Sequence, residues 1–314
     1  GAVLAETGGR QVYLGRQTAY SDFNRVREAR RQPGSAMKPL VYLAAFRHGP
    51  FTLDTWVPDE PISVPDGGHG DRKSIANYDG QFKGWMPLRR AFAESRNTVA
   101  VWIAQQIGME RVRRAAHSVG VETELHAYAS TALGASEMHL LELATAYRTL
   151  ASGILAHPYI VRRVVSRVGD EIPPTTPPRR AVVVADPAMT LIQEALRGVV
   201  RMPTGTAHSL ASRRFPIAVM GKTGTTNSFR DALFVGSTYG PDGITVAVRI
   251  GFDDNRTLGS RETGGRVALP VFETLMREVY ARDLVGPAPV FPPQMERRIS
   301  AYLRGPPMPV IDIR

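Results

Sequence analysis

Apolar residues recur at helical spacing through the middle of the chain and cluster at strand length toward its ends. Near the N-terminus, Ala2 to Ala5 and Gln11 to Leu14 flank Thr7-Gly8-Gly9-Arg10, which predicts a hairpin over residues 1–16. From Pro33 the pattern turns helical, with Leu40, Leu43, Ala44 and Phe46 following the turn Gln32-Pro33-Gly34-Ser35. Residues 50–87 are rich in Pro, Gly and Asp and read as a long loop region, which in a compact domain is usually functional. Helical patterns then dominate 88–154, as in Val99, Trp102, Ile103 and Ile107, or Leu140, Leu143, Tyr147 and Leu150. Short strands are expected over 157–185, around the turn Pro173 to Pro178, and Asp186-Pro187 opens a helix to about Val200. Strands return at Phe215 to Met220, Ala232 to Tyr239 and Ile244 to Gly251, before a helix at about 268–282.

Strands at both ends with helices between predict an α/β (α+β) fold: a mainly antiparallel sheet built from both chain ends, flanked by helices, with a helical lobe beside it. A site belongs in the cleft between the two. One domain is expected over residues 1–283, and the proline-rich stretch 284–314 predicts an extended C-terminal tail. No apolar run approaches the roughly 18 residues of a membrane span, so no anchor or signal peptide is expected in this chain.

The chain has no cysteine, which excludes disulfides, thiol catalysis and thiolate-bound zinc. Its net charge of +10 could suit a polyanion. The arginines nevertheless fall in scattered groups, and no helix-turn-helix, zinc or RNA-binding signature accompanies them, so no nucleic-acid partner is expected. Of 39 basic residues only Lys38, Lys73, Lys83 and Lys222 are lysines. Lysine can lose its proton when buried and arginine cannot, so a lysine kept in such a chain is a candidate base.

Three short motifs carry candidate chemistry: Ser35-Ala36-Met37-Lys38, Ser95-Arg96-Asn97 and Lys222-Thr223-Gly224. Ser35 and Lys38 lie one helical turn apart, where the serine is either a cap or a nucleophile and the lysine its nearest base. Bringing a lysine from about 10.4 to near 7 takes about 4 kcal/mol of bias against its charged form. A helix dipole supplies about 0.3–1 kcal/mol, so burial and a second cation, for which Lys222 is the candidate, must supply the rest. Ser95 reads either as a capping residue or as a proton relay, with Asn97 offering a donor and an acceptor to a peptide. Gly221-Lys222-Thr223-Gly224 invites a phosphate-loop reading, which fails because Pro216 stands where that motif needs glycine. The other reading is an edge strand that binds an extended peptide, with Gly224 allowing close approach and Lys222 and Thr223 meeting a carboxylate.

Taken together the motifs resemble those of penicillin-binding proteins and serine β-lactamases. The likeness to the transpeptidase domain of class A penicillin-binding proteins extends over residues 1 to about 283. It includes Arg30 to Ser35, Asn77-Tyr78-Asp79-Gly80, Ala132 to Glu137, Pro203-Thr204-Gly205-Thr206 and Asp231 to Gly236, with Leu233 where the family usually has tryptophan. The resemblance implies that Ser35 is the acylated nucleophile and Lys38 its base. Ser95 and Asn97 would form the second motif, Lys222, Thr223, Gly224 and Thr225 the substrate strand, and the amides of Ser35 and Thr225 the oxyanion hole. It implies peptidoglycan D,D-transpeptidation on D-alanyl-D-alanine stem peptides, inhibition by β-lactams, and no metal or cofactor. The implied setting is extracytoplasmic, with a glycosyltransferase domain upstream and membrane attachment only through a segment absent from this chain. The rivals are a serine β-lactamase or D,D-carboxypeptidase, in which water replaces the amine, and a non-catalytic β-lactam receptor domain; a class A lactamase would need a carboxylate for deacylation, for which Glu122, Glu124 and Glu137 are candidates that read better as solvated helix or loop acids.

Overall fold

A computed structural model describes residues 1–9, 11–14, 17–65, 72–172 and 181–305. In chain order the first elements are strands β1 (Gln11–Leu14), β2 (Gln17–Tyr20) and β3 (Arg30–Arg31), helix α1 (Lys38–His48), and strands β4 (Trp56–Asp59), β5 (Ile62–Pro65), β6 (Arg72–Ile75) and β7 (Gly84–Pro87). Helices α2 (Leu88–Ala93), α3 (Asn97–Ile107) and α4 (Met109–Ser118), strand β8 (Met138–His139) and helix α5 (Leu140–Ser152) form the helical lobe. Short strands β9 (Ile154–Leu155), β10 (Val164–Val165), β11 (Glu171–Ile172) and β12 (Val182–Val183) lead to α6 (Pro187–Arg201) and α7 (Ser209–Ser212). The chain then forms β13 (Met220–Thr225), β14 (Asp231–Ser237) and β15 (Thr245–Gly251), followed by α8 (Leu269–Ala281) and α9 (Pro293–Arg304).

Helix α1 forms the centre of the core. Pro39 sits in its first turn, where an amide has no intrahelical acceptor to lose. Residues Leu40 to Ala45 are all fully buried, so this stretch of α1 has no solvent face; the helix packs against α3, α4 and α6, and only its last turn, Phe46 to His48, reaches solvent. The one-sided stripe of Leu40, Leu43, Ala44 and Phe46 therefore understates its burial. Helix α6 begins as its sequence predicts: Pro187 occupies the first turn and Asp186 Oδ1 accepts from the Met189 amide at 2.9 Å.

Strands β13, β14 and β15 make an antiparallel sheet in that order, with Gly224 opposite Leu233 and Phe234 opposite Val248. Every residue of β14 is buried. Phe234 meets Phe272 of α8 edge to face at 4.7 Å, while α5 packs on β14 and β15 and α6 on β13. Antiparallel sheets flanked by helices, beside a helical lobe, match the class the sequence implies.

Local expectations differ in five places. The N-terminal strands do not enter the main sheet: β1 pairs with β2, β3 with β8, and Ala2 bridges Tyr159. Side chains fasten this segment to the sheet instead, through Arg25–Asp253 at 2.7 Å and Arg31–Asp231 at 3.1 Å. The N-terminal hairpin is shifted, because Leu14 pairs with Gln17 and leaves a two-residue connection, the length hairpins favour, while Gly8 O accepts from Arg25 Nη1. The strand expected at Phe215 to Met220 begins only at Met220 and runs through Thr225, since Pro216 has no amide for a ladder. The stretch after Asp283 is not extended throughout: α9 buries Met295 and Ile299, one helical turn apart, while Glu296 bonds Arg197 at 2.7 Å and Arg298 bonds Glu194 at 2.6 Å. Residues 50–87, expected as a loop region, carry two nested antiparallel pairs: β4 with β7, and between them β5 with β6. The turn expected at 173–178 lies outside the described residues. Among the described residues, no helix is long and apolar enough to cross a membrane.

Candidate active site

Ser35 sits on a 3₁₀ turn, Gly34–Met37, that runs straight into α1. Neither this turn nor α1 has a side-chain cap, so Ser35 is not spent as one. The amide of Lys38 donates to the Ser35 carbonyl, which places the two residues one 3₁₀ turn apart and on one side. Glycines let this turn approach the sheet. Gly34 has φ +52°, and a Cβ on it would lie 2.5 Å from the carbonyl oxygen of Thr225. A Cβ on Gly224 would lie 2.7 Å from the Pro33 carbonyl oxygen. The backbone of Ser35 thus runs beside the Thr225 end of β13, which has a ladder partner, β14, on one side only among the described residues. Tyr147 steadies the turn by donating its hydroxyl to Ala36 O at 2.8 Å.

Lys38 is fully buried, and no carboxylate is among its hydrogen-bond partners. Its Nζ lies 2.5 Å from Ser95 O, 2.7 Å from Asn97 Oδ1 and 3.1 Å from Ser95 Oγ. Burial first, and then repulsion from Lys222 and Arg96, hold its pKa well below the ordinary lysine value. Lys222 is also fully buried, and its Nζ donates to Ser95 Oγ at 2.8 Å and to Thr223 O at 3.2 Å. Burial lowers its pKa to about 7.

Ser95 Oγ is therefore held between two buried amines. Ser95 lies between α2 and α3 with φ +59°, a left-handed conformation uncommon for a residue with a side chain. It does not cap α3; the residue before that helix is Arg96, with no side-chain cap, and Asn97 is the first helical residue. A neutral Lys38 has two N–H groups for the two carbonyl-type acceptors, Ser95 O and Asn97 Oδ1, so its lone pair is left for a hydroxyl proton. Once protonated, it finds three acceptors already in place. This arrangement suits a base that takes a hydroxyl proton and passes it through Ser95.

On the sheet side, Thr223 Oγ1 donates to Thr206 Oγ1 at 2.7 Å, and the amide of Thr206 donates to Ala93 O at 3.1 Å, tying β13 to the end of α2. Thr225 Oγ1 accepts the amide of Gly264 at 3.1 Å. The structure thus joins Lys38, Ser95, Asn97 and Lys222 directly, and carries Ser35, Thr223, Gly224 and Thr225 on the adjoining backbone. Lys73 and Lys83 lie outside this cluster: Lys73 is exposed, and Lys83 pairs with Glu94 at 2.7 Å.

A profile of the penicillin-binding protein transpeptidase domain matches residues 1–277. The chain belongs to that family. It is 37% identical over 269 residues to penicillin-binding protein 1A of Aquifex aeolicus, a match covering 84% of this chain and 35% of the relative. It is also 37% identical over 282 residues to penicillin-binding protein 1A of Neisseria gonorrhoeae, covering 87% and 34%. The chain thus spans about a third of the length of these relatives. The crystal structure of penicillin-binding protein 1A from Haemophilus influenzae superposes with TM-score 0.74 at 28% identity, over 87% of this chain and 45% of that one. The D,D-transpeptidase domain of a peptidoglycan glycosyltransferase from Eggerthella lenta shares the fold, with TM-score 0.66 at 22% identity over 84% and 68%.

The segments that carried the family resemblance converge on the site of this transpeptidase-family chain. Gly134, at φ +80°, packs on Gly34, so that a Cβ would lie 2.5 Å from the Gly34 nitrogen. Asp231 binds Arg31, a few residues before Ser35. Tyr78 and Phe229 stand edge to face at 6.1 Å, joining the loop beside Ser95 to the turn after β13. The acids considered for hydrolysis are elsewhere: Glu122, Glu124 and Glu137 are exposed, Glu122 faces His157 and Glu124 faces Arg113. Sequence reasoning missed Gly264, which presses on the carbonyls of Leu233 and Gly224, and the buried carboxylate of Asp59. The Gly264-Gly265 pair was the available signal for the first, as adjacent glycines mark close backbone approach.

Proposed function

We propose that this chain is the catalytic part of a peptidoglycan D,D-transpeptidase acting through a serine acyl-enzyme. Ser35 Oγ attacks the carbonyl of the penultimate D-alanine of a stem peptide, and its proton passes to Lys38. The amides of Ser35 and Thr225 hold the oxyanion, and β13 receives the peptide by strand addition, with Lys222 and Thr223 at the terminal carboxylate. The C–N bond breaks, D-alanine leaves with a proton delivered through Ser95, and Ser35 remains acylated. An amine of a second stem then attacks, gives its surplus proton back along the same path, and releases Ser35. A β-lactam enters at the first step and its acyl group stays.

The observation that carries this reading is the Ser95 hydroxyl held between two buried lysines that have no carboxylate partner among the described residues. Among the described residues no carboxylate hydrogen-bonds Lys38, Ser95 or Lys222 to activate water, as the β-lactamase rival would need; Glu94, next to Ser95, is tied to Lys83 and Arg90. The relatives' name, penicillin-binding protein 1A, supports β-lactams as ligands, and their greater length leaves room for the glycosyltransferase domain that this reading places upstream, in an extracytoplasmic protein. A division between a domain over 1–283 and a C-terminal segment over 284–314 belongs to the same reading, with α9 docked on the domain. Intact-mass analysis and peptide mapping after incubation with benzylpenicillin test it. One persistent adduct on Ser35 is expected; a label elsewhere, no label on folded protein, or rapid turnover would sink it.

A further inference from the structure

We infer that Asp59, which no motif marks, is the positioning residue that holds Ser95 and Asn97 against the two lysines; the inference rests on the transpeptidase reading above. Asp59 ends β4 and is fully buried, where an ionised carboxylate persists only if its charge and lone pairs are met. Four donors meet it: Arg96 Nε at 2.8 Å, Thr98 Oγ1 at 2.5 Å, Asn77 Nδ2 at 2.7 Å and the amide of Lys83 at 3.0 Å. Burial pushes its pKa up, but the hydrogen bonds from Thr98, Arg96, the Lys83 amide and Asn77 together outweigh that and keep it below the usual carboxylate value. The group is a permanent anion at the hub of a buried network.

From Asp59 the bonds run to both motif residues. Arg96, the middle residue of Ser95-Arg96-Asn97, also donates Nη1 to Asp79 Oδ2 at 2.8 Å and Nη2 to Gln81 O. Its guanidinium is thereby clamped, and with it the backbone that presents its two neighbours. Asn77, fixed by Asp59, accepts the amide of Asn97 on Oδ1 at 2.7 Å. Asn97 Nδ2 donates to Ala76 O at 2.8 Å, which leaves Asn97 Oδ1 facing Lys38. Ser95 stands next in the chain with its left-handed φ of +59°. Such backbone persists only where its surroundings fix it. The clamp on Arg96 supplies that fixation, so the anion in β4 sets where the Ser95 hydroxyl and the Asn97 oxygen stand.

Asp59 also shapes the field at Lys38. The cations facing Lys38 are Lys222 from β13 and Arg96 from the start of α3. The acids on that side are Asp59 and Asp79, both on Arg96, and Glu94, held by Lys83 and Arg90. Neutralising Asp59 leaves Arg96 less compensated and makes Lys38 hold its proton less well.

The test is stopped-flow acylation by benzylpenicillin across pH, normalised to titratable folded sites, for the wild type, Asp59→Asn and Asn77→Ala. Both variants are expected to acylate on the order of 10- to 100-fold more slowly per folded site, as misplacement of a catalytic group does. In Asp59→Asn the half-maximal pH should move down. A role in folding alone would lower the folded fraction and leave the rate per site and its pH profile unchanged, which overturns the inference. Should Asp59→Asn not fold, Asn77→Ala, which buries no new charge, decides on its rate. Absence of Ser35 acylation in the wild type sinks the underlying reading instead.

Discussion

Lys222 enters the cluster around Lys38 from β13 and Asn97 from α3, and different forces hold them there. The sheet side is fixed by backbone proximity. Gly34, Gly224 and Gly264 sit where a Cβ would press into neighbouring carbonyls, and β13 is laddered to β14 along its length. The helical side is fixed by charge: Asp59, Arg96 and Asn77 are buried and bond one another and the backbone around Ser95 and Asn97. Close packing tolerates no added atoms, whereas a polar clamp tolerates no lost partner. The two sides should therefore fail differently.

The largest effect is expected at the point where both meet. Lys38→Met should reduce acylation by penicillin on the order of 10³-fold, the contribution of a positioned general base. The same change removes a buried amine without a counter-ion and fills the space with a similar volume, so the melting temperature should rise at neutral pH. Retained acylation would remove Lys38 from its role.

Next in size is the sheet side. Gly34→Ala adds a Cβ at a left-handed position, 2.5 Å from Thr225 O, and should cost more than ~1 kcal/mol of stability while slowing acylation. Stability and rate should fall together here, in contrast to Lys38→Met, where they part. Denaturant unfolding run beside acylation kinetics tells the two patterns apart.

A smaller effect tests both lysines at once. Lys222 has a folded pKa of about 7 against an ordinary value of 10.5, and Lys38 is lowered as well. Between those values the unfolded chain binds more protons than the folded one, so stability must rise with pH from about 7 toward 10. The slope from Lys222 approaches about 1.4 kcal/mol per pH unit. Above that range the buried phenols Tyr42 and Tyr147, whose pKa values burial raises, act in the opposite direction. Thermal melts across pH should show the rise, and Lys222→Ala should flatten it.

What the sequence disclosed follows the range of the interactions involved. The start of α6 was readable because Asp186, Pro187 and Met189 lie within one turn. The motif residues were readable as a set because they share a chemistry, although Ser95 is neither a cap nor a regular helical residue. Partners distant in sequence were not readable. Nothing local indicates that Arg30 and Arg31 pair with Met138 and His139, or that β13 begins at Met220. Asp59 reads as a loop acid until Asn77, Arg96 and Thr98 surround it. Helix α9 was hidden because prolines that end helices also begin them, although Met295 and Ile299 carry the helical spacing.

The central claim is that Lys38 can act as a base because it is buried beside a second cation. The pH–rate profile for acylation of Lys222→Ala, set against that of the wild type, tests it most directly. Loss of the neighbouring charge lets Lys38 hold its proton more tightly, so the half-maximal rate should move to higher pH while acylation slows without vanishing. A shift to lower pH would contradict the coupling of the two lysines, even with Ser35 as the nucleophile.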